Sequence, residues 1–255
     1  MKPMNDEFYI GYLPKASVAT ARFVRRRVAA LASGVLATSV LVALILPHLG
    51  EGVFEFGQVR DFNGVVRCDA ASGPRLTDAE VDYLLVGPGK NGALEMCGAN
   101  GQTVTLQGTL ITRDGRRLIE TAGPARELAN GLVRAAVAGE VKDSGELSVS
   151  LGTLTLTGEI VDPKCYFGVM NPGEGRAHRA CAILCLRGGI TPVFVARDQA
   201  GATAHLLITG PHGEPITEKL LRWVGEGVEG KGEVVRTGRW LTWRLDPATL
   251  GFAGK

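Results

Sequence analysis

The longest apolar stretch of the chain lies near its N-terminus. Residues 28–46 contain no charged side chain, and Pro47 follows them directly. A helix of this length spans roughly 28 Å at about 1.5 Å per residue, close to the thickness of the hydrocarbon core of a bilayer. The pattern predicts a single transmembrane helix over 28–46, preceded by a basic N-terminal segment over 1–27.

The charges on either side of this stretch predict its orientation. Three consecutive arginines, 25–27, precede it, whereas the other side begins with Pro47, His48 and Glu51. The positive-inside rule therefore places the N-terminus in the cytoplasm and the rest of the chain on the other side of the membrane. A cleaved signal peptide is the alternative. We favour the uncleaved anchor because the apolar stretch is longer than the apolar region of a typical signal peptide. In addition, no small-x-small cleavage site follows it.

Beyond residue 50, the apolar positions form short alternating runs that occur twice. Residues 83–87 and 205–209 are similar runs, and each precedes a turn rich in Gly and Pro. Residues 104–120 likewise align with 227–245, each containing two alternating strands and a Gly turn. We interpret each copy as about five short strands. The predicted domains are a first β domain over 53–121, a linker or short helix over 122–150, and a second β domain over 151–247.

Five short strands with glycines at their bends can close into a small Greek-key barrel, the oligonucleotide/oligosaccharide-binding (OB) architecture. Gly108 and Gly232 lie where a side chain would obstruct a strand that coils sharply. The predicted fold class is therefore mainly β, with one N-terminal transmembrane helix followed by two tandem OB-like β-barrels. A plain antiparallel sandwich would give a similar pattern and remains an alternative.

Composition and charge narrow the choice of partners. The chain is 45% hydrophobic and 21% charged over 255 residues, which suits a globular protein with a sizeable core. Residues 1–27 hold six Lys/Arg against two Asp/Glu, a net +4, so the rest of the chain sums to −2. Because nucleic-acid binding relies on a dense basic face, we predict no nucleic-acid partner. The predicted partners are the lipid bilayer and a membrane complex.

The second copy contains an insertion, 165–189, that holds three of the five cysteines. His178, Cys181 and Cys185 have i, i+3 and i+7 spacing in a segment of helical composition, and Gly188 and Gly189 follow it as a stop signal. The three side chains would project from one helical stripe. Cys165, at the end of the preceding strand, is the natural fourth group. This Cys/His set predicts a metal site for zinc or copper, or a haem axial position.

Two other interpretations of these cysteines remain open at this point. In an oxidising compartment, Cys165 can pair with Cys181 or Cys185 as a structural disulfide, or the thiols can form a redox pair. The neighbouring Arg176, Arg179 and Arg187 could lower a thiol pKa or meet an anion.

The first copy carries its own pair of cysteines. Cys68 and Cys97 lie on either side of the strand that contains Tyr83. They are candidates for a structural disulfide, and the alternative is two buried thiols.

The segment 155–245 resembles a group of largely uncharacterised bacterial exported proteins. The resemblance rests on a G-E-I-V-D-x-x-C opening, an H-x-x-C-A-x-x-C core and a following glycine pair. In this sequence the matching positions are Asp162, Cys165, His178, Cys181, Ala182, Cys185 and Gly189. The resemblance implies an OB-like domain with a Cys/His site, supported by Asp162, Arg179, Gly188 and Gly189. It implies no activity. A bacterial origin would place the anchor in the inner (cytoplasmic) membrane and the β domains in the periplasm.

These patterns favour a non-enzymatic accessory protein that is anchored in the membrane beside a membrane complex, such as a respiratory one. Its Cys/His insertion would bind a metal, a redox centre or a partner. One alternative is a purely structural envelope interaction module with disulfide-stapled barrels. The other is a thiol-redox or metal-dependent enzyme that works through the three cysteines and His178. The sequence contains no recognisable catalytic triad, and we assign no catalytic residue.

Overall fold

The structure of the protein is a computed structural model that describes residues 16–45, 52–69, 72–122, 126–127, 148–198 and 201–254. The chain divides into two compact units, Met1–Leu49 and Gly50–Lys255. The first contains the N-terminal helix, and the second contains all the strands.

The N-terminal unit forms one long helix, α1, over Val18–Ile45. It begins after Ser17, whose side-chain oxygen accepts a hydrogen bond from the Thr20 backbone N–H at 3.2 Å, as an N-cap residue does. The helix is long and apolar enough to cross a membrane. It begins ten residues before the predicted transmembrane span, because residues 18–27 contain neither Pro nor Gly to interrupt it. Leu46, the predicted last residue, lies outside the described residues.

The first barrel has five long strands in a closed ring. In ring order they are β2, β3, β4, β6 and β5, and β5 pairs again with β2. All pairings are antiparallel except that of β4 with β6, which is parallel. The short strands β1 and β7 add to β5. The strands are β1 Val53–Phe54, β2 Arg60–Asp69, β3 Gly73–Thr77, β4 Asp82–Val86, β5 Thr103–Arg113, β6 Arg116–Thr121 and β7 Arg126–Glu127.

The second barrel repeats this topology. Its ring order is β8, β9, β10, β12 and β11, and β11 pairs again with β8. The pairing of β10 with β12 is parallel, as in the first barrel. A short helix, α3 Thr217–Leu220, lies between β10 and β11. The strands are β8 Ser148–Val161, β9 Val193–Arg197, β10 Thr203–Thr209, β11 Gly227–Thr237, β12 Trp240–Leu245 and the edge strand β13 Gly251–Phe252.

The predicted fold class is confirmed: the chain contains an apolar helix and two closed five-stranded barrels in tandem, consistent with two small OB-like barrels. The two glycines singled out in the sequence lie where the strands are crowded. A Cβ at Gly108 would meet the Ile119 side chain and the Glu120 carbonyl, and a Cβ at Gly232 would meet the Arg244 carbonyl and the Trp243 ring. A side chain at either position would therefore displace the neighbouring strand.

The strand boundaries differ from the sequence pattern at the start of each barrel. The match of residues 56–62 with 157–163 predicts these runs as the opening strands of the two copies, whereas the opening strand of the first copy begins at Arg60. The opening strand of the second copy begins at Ser148, nine residues before the predicted run and three before the predicted domain start. Its N-terminal part is exposed on both faces, so no burial pattern marks it. Of the predicted linker or helix over 122–150, residues 123–125 and 128–147 lie outside the described residues.

The two barrels share a hydrophobic core in addition to their own. A cluster of buried side chains joins Leu84, Val86 and Leu118 of the first barrel to Val193 and Trp240 of the second. The insertion contributes to this shared core through a π-helical turn, Cys165–Val169, and a helix, α2 Gly175–Arg187. The insertion therefore packs between the two barrels.

The two cysteines of the first barrel, Cys68 and Cys97, form a disulfide. It joins β2 to the 3₁₀ turn Leu94–Ala99, which precedes β5. Both cysteines are buried. The two cysteines are 29 positions apart in the chain. Among the described residues, the free thiols are the three cysteines of the insertion.

Candidate metal centre

The helix α2 presents three of the predicted ligands on one face. His178 and Cys185 are buried on the side that faces the barrel, and Cys181 is partly exposed between them. The helix starts against β8, since the Gly175 N–H donates to the Glu159 carboxylate at 2.6 Å. It ends before Gly189, which adopts the left-handed conformation that glycine favours after a helix.

Cys165 lies at the start of the π-helical turn that follows β8. Asp162, at the end of this strand, accepts a hydrogen bond from the Cys165 backbone N–H at 2.9 Å. This bond turns the chain so that the Cys165 side chain faces α2. The predicted fourth ligand therefore lies next to the three on the helix.

The sulfur and nitrogen atoms of these residues converge. Ligand atoms of Cys165, His178 and Cys181 all lie within 4.8 Å of one another, and so do those of Asp162, Cys165 and Cys185. A tetrahedral Zn²⁺ ion with bonds of about 2.0–2.3 Å has ligand atoms about 3.3–3.8 Å apart, which is within this limit. The two groups overlap at the sulfur of Cys165. No described residue other than Cys181 opens the set to solvent, since Cys165, His178 and Cys185 are 5%, 4% and 1% exposed.

Asp162 positions the imidazole of His178. Its Oδ2 lies 2.9 Å from Nε2 of His178, and both side chains are buried. Because an ionised carboxylate only accepts hydrogen bonds, we assign the proton to Nε2, so a metal would bind His178 through Nδ1. Metal-binding histidines usually have such a carboxylate partner on the second nitrogen. Asp162, which the sequence marked as motif support, is therefore an orienting residue.

The two most buried thiols have unequal acidities. A hydrogen bond to Cys185 raises the pKa of the Cys165 thiol, and burial raises it further. The same hydrogen bond lowers the pKa of Cys185, because it stabilises the thiolate there. A hydrogen bond from Cys181 also stabilises the Cys185 thiolate. The three thiols therefore form one connected group in which Cys185 loses its proton before Cys165.

Lys90, a residue of the first barrel, also contacts the cluster. Its Nζ lies 2.7 Å from Sγ of Cys181. The hydrogen bond to Cys181 raises the pKa of Lys90, and the other two cysteines add to the effect. No sequence signal indicates this contact, because Lys90 is 91 positions from Cys181 and lies in a turn with no motif of its own.

The turn that carries Lys90, residues 87–92, is held against the insertion at both ends, and we name it the Lys90 loop. Lys164 donates to the carbonyls of Gly87 and Gly89 at 2.7 and 2.6 Å, and it pairs with Glu120 at 3.0 Å. At the other end, the Gly92 N–H donates to the Gly188 carbonyl at 2.9 Å. Lys90 is thus fixed over the Cys181 side of the cluster.

The arginines near the cluster have other partners. Arg176 and Arg179 both bind Glu226, at 2.9 Å, and Arg179 also donates to the Arg222 carbonyl. These contacts hold α2 to the turn before β11. Lys90 therefore lies beside a thiol of the cluster, whereas Arg179 helps to hold α2 in place.

His205, on β10, does not belong to either group of close ligands. It packs against Tyr166 and Phe167 with ring centroids 5.6 and 5.0 Å away. It is buried, and its Nε2 has no hydrogen-bond partner among the described residues. Burial lowers its pKa to about 4. His205 is therefore neutral in the folded protein at pH 7.

This burial predicts a pH dependence of stability. The unfolded chain takes up a proton on His205 near its ordinary pKa of 6.5, whereas the folded chain does so only near 4. Protons therefore favour unfolding between these values, and the melting temperature should fall as the pH is lowered from about 6.5 to about 4. The melting temperature of His205→Gln should fall less over the same pH range. Thermal unfolding of both proteins across this range measures the difference. Equal slopes for both proteins would contradict a neutral, buried His205.

No protein-family model matches the chain, and neither a curated protein nor a solved structure matches it.

Proposed function

We propose that the protein is a membrane-anchored accessory protein that holds a zinc ion through Cys165, His178, Cys181 and Cys185. The observation that carries the proposal is the pair of close ligand groups, Cys165/His178/Cys181 and Asp162/Cys165/Cys185, which share Cys165 and together contain the three free thiols and one imidazole. The hydrogen bond between Asp162 and His178 supports it, because metal-binding histidines usually have a carboxylate partner on the ring nitrogen that does not bind the metal.

The donor set favours zinc over the other groups that the sequence suggested. Three thiolates and one imidazole in a tetrahedral arrangement are characteristic of structural Zn²⁺ sites. Cys165, His178 and Cys181 have ligand atoms within 4.8 Å of one another, and Cys185 lies equally close to Cys165, which suits a single ion. A haem is a large group and would need a wide opening beside its ligands. Cys165 and Cys185 instead belong to the packed core between the barrels.

Four protein ligands also favour a non-catalytic role. Catalytic zinc sites keep one position for water or substrate, and this set would occupy all four. Bound zinc would tie the insertion to the end of β8 at the place where the barrels meet. In this proposal, α1 anchors the barrels on the extracytoplasmic side of a bacterial inner membrane, where they act beside a membrane complex.

Metal analysis of the purified full-length protein in detergent tests the proposal. We expect one zinc ion per chain, and a thiolate-to-metal charge-transfer band when Co²⁺ replaces it. His178→Ala should lose most of the bound metal, whereas His212→Ala, at an exposed turn, should retain it. A protein that takes up no metal at its three reduced thiols, or a His178→Ala variant that binds as well as the parent, would contradict the zinc site.

Thiol redox chemistry is the second candidate, and the unequal acidities of Cys165 and Cys185 favour it. A thiolate next to a protonated thiol is the arrangement of a reactive dithiol pair. In that case, mild oxidation should remove two of the three thiols and the protein should bind no metal. Counting free thiols before and after zinc addition separates the two candidates, because bound zinc protects thiols without oxidising them.

A further inference from the structure

The cluster has one open side, and a residue of the other barrel covers it. Cys181 is the partly exposed member, and Nζ of Lys90 lies 2.7 Å from its sulfur. The remaining ligands face the packed core between the barrels. Of the four proposed ligands, Cys181 is therefore the one most accessible to an ion or a competing chelator, and Lys90 lies directly beside it.

The contact of Lys90 with Cys181 is built into the fold. The Lys90 loop is bound by Lys164 at Gly87 and Gly89 and by Gly188 at Gly92. The backbones approach so closely that a Cβ at Gly92 would meet the Gly189 carbonyl, and a Cβ at Gly188 would meet the Lys90 carbonyl. The loop thus has little freedom to move away, and Lys90 starts from a fixed backbone position.

The charges of the cluster select the charge of the ion. Metal binding requires three thiolates and a neutral imidazole, so the ligands carry a charge of −3. The buried carboxylate of Asp162 adds −1, so a divalent ion together with the ammonium of Lys90 leaves a net charge of −1. A monovalent ion such as Cu⁺ would leave −2 by the same count. Buried charge without a partner is costly, so the cluster with Lys90 favours a divalent over a monovalent ion.

From this geometry we infer that Lys90 of the first barrel is part of the metal site of the second. It donates a charge-assisted hydrogen bond to the Cys181 thiolate. It also offsets part of the negative charge that the ligands retain around a divalent ion, and it slows the exchange of that ion through the open side. This inference rests on the proposed zinc site and deepens it. The site is then composite, with its ligands on one barrel and its charge-balancing cation on the other.

The test compares Lys90→Met with Lys231→Met in the full-length protein in detergent, each loaded with Zn²⁺. Lys231 is an exposed lysine on β11 and serves as the matched control. The readouts are the Zn²⁺ affinity, by competition with a chelator, and the rate of Zn²⁺ transfer to excess chromogenic chelator. A charge-assisted hydrogen bond predicts that Lys90→Met binds roughly tenfold to hundredfold more weakly, with correspondingly faster transfer. Lys90→Arg, which keeps the charge, should recover part of the loss.

The outcomes separate the inference from the proposed function. If the parent protein binds one zinc ion and the two Met variants behave alike, Lys90 has no role at the site and the inference is overturned. If the parent binds no zinc at all, the proposed function fails and the inference fails with it. If Lys90→Met binds Cu⁺ and Zn²⁺ with unchanged relative affinity, the charge argument is wrong even where the affinity falls.

Discussion

Replacing Cys165 by serine is expected to lower the affinity for Zn²⁺ by roughly a hundredfold to a thousandfold. Structural zinc sites with four ligands bind with about 10–16 kcal/mol, so each ligand contributes about 2.5–4 kcal/mol on average. Cys165 is 5% exposed, so water cannot readily take its place as a ligand. The change should appear in a competition titration with a chromogenic chelator.

Cys181→Ser is the matched comparison for this prediction. Cys181 lies on the open side of the cluster, where water can occupy the fourth position, so its loss should cost roughly tenfold in affinity. The metal-free variants should unfold at similar temperatures, because serine has nearly the size of cysteine. Equal losses for the two variants would show that Cys165 is no better enclosed than Cys181. An unchanged affinity in Cys165→Ser would remove it from the ligand set.

Asp82→Ala should lower the free energy of unfolding by about 3–5 kcal/mol, because it leaves the Arg75 guanidinium buried without its carboxylate. The two side chains are 3.2 Å apart and almost fully buried. Asp82 also accepts from the Arg239 backbone N–H at 3.1 Å, and its carbonyl accepts from the Trp240 indole at 3.1 Å. Asp82 therefore connects the two barrels. The loss of unfolding free energy should be measurable by urea unfolding, with tryptophan fluorescence as the signal.

Two further variants test the cause of that loss. Asp61→Ala removes an exposed carboxylate from the same barrel and should change the free energy of unfolding by less than about 0.5 kcal/mol. Arg75→Met combined with Asp82→Leu removes both charges together and should recover much of the stability. If the double variant is as unstable as Asp82→Ala, packing and backbone contacts are responsible, and the unpaired charge is not.

The sequence predicted the repeated barrels because each copy shows the same alternation and the same crowded glycines. It also predicted that Cys165 meets the trio on α2, since helical spacing places the trio on one face and the stop signal bounds the helix. The start of β8 could not be predicted, because its first residues are exposed on both faces and show no alternation.

The contacts between the barrels were also beyond prediction. Lys90 and Lys164 belong to segments far apart in the chain, and nothing in either segment marks a partner. Their roles depend on how two similar domains pack, which periodicity within each domain does not describe. The same holds for Asp82 and Arg75, whose buried pair lies beside the second barrel.

The Lys90 loop gives the repeated barrels unequal duties. The first barrel supplies the lysine beside Cys181, and the second supplies the cysteine itself. A truncated protein that carries the second barrel alone would therefore lack the ammonium group next to its partly exposed thiol.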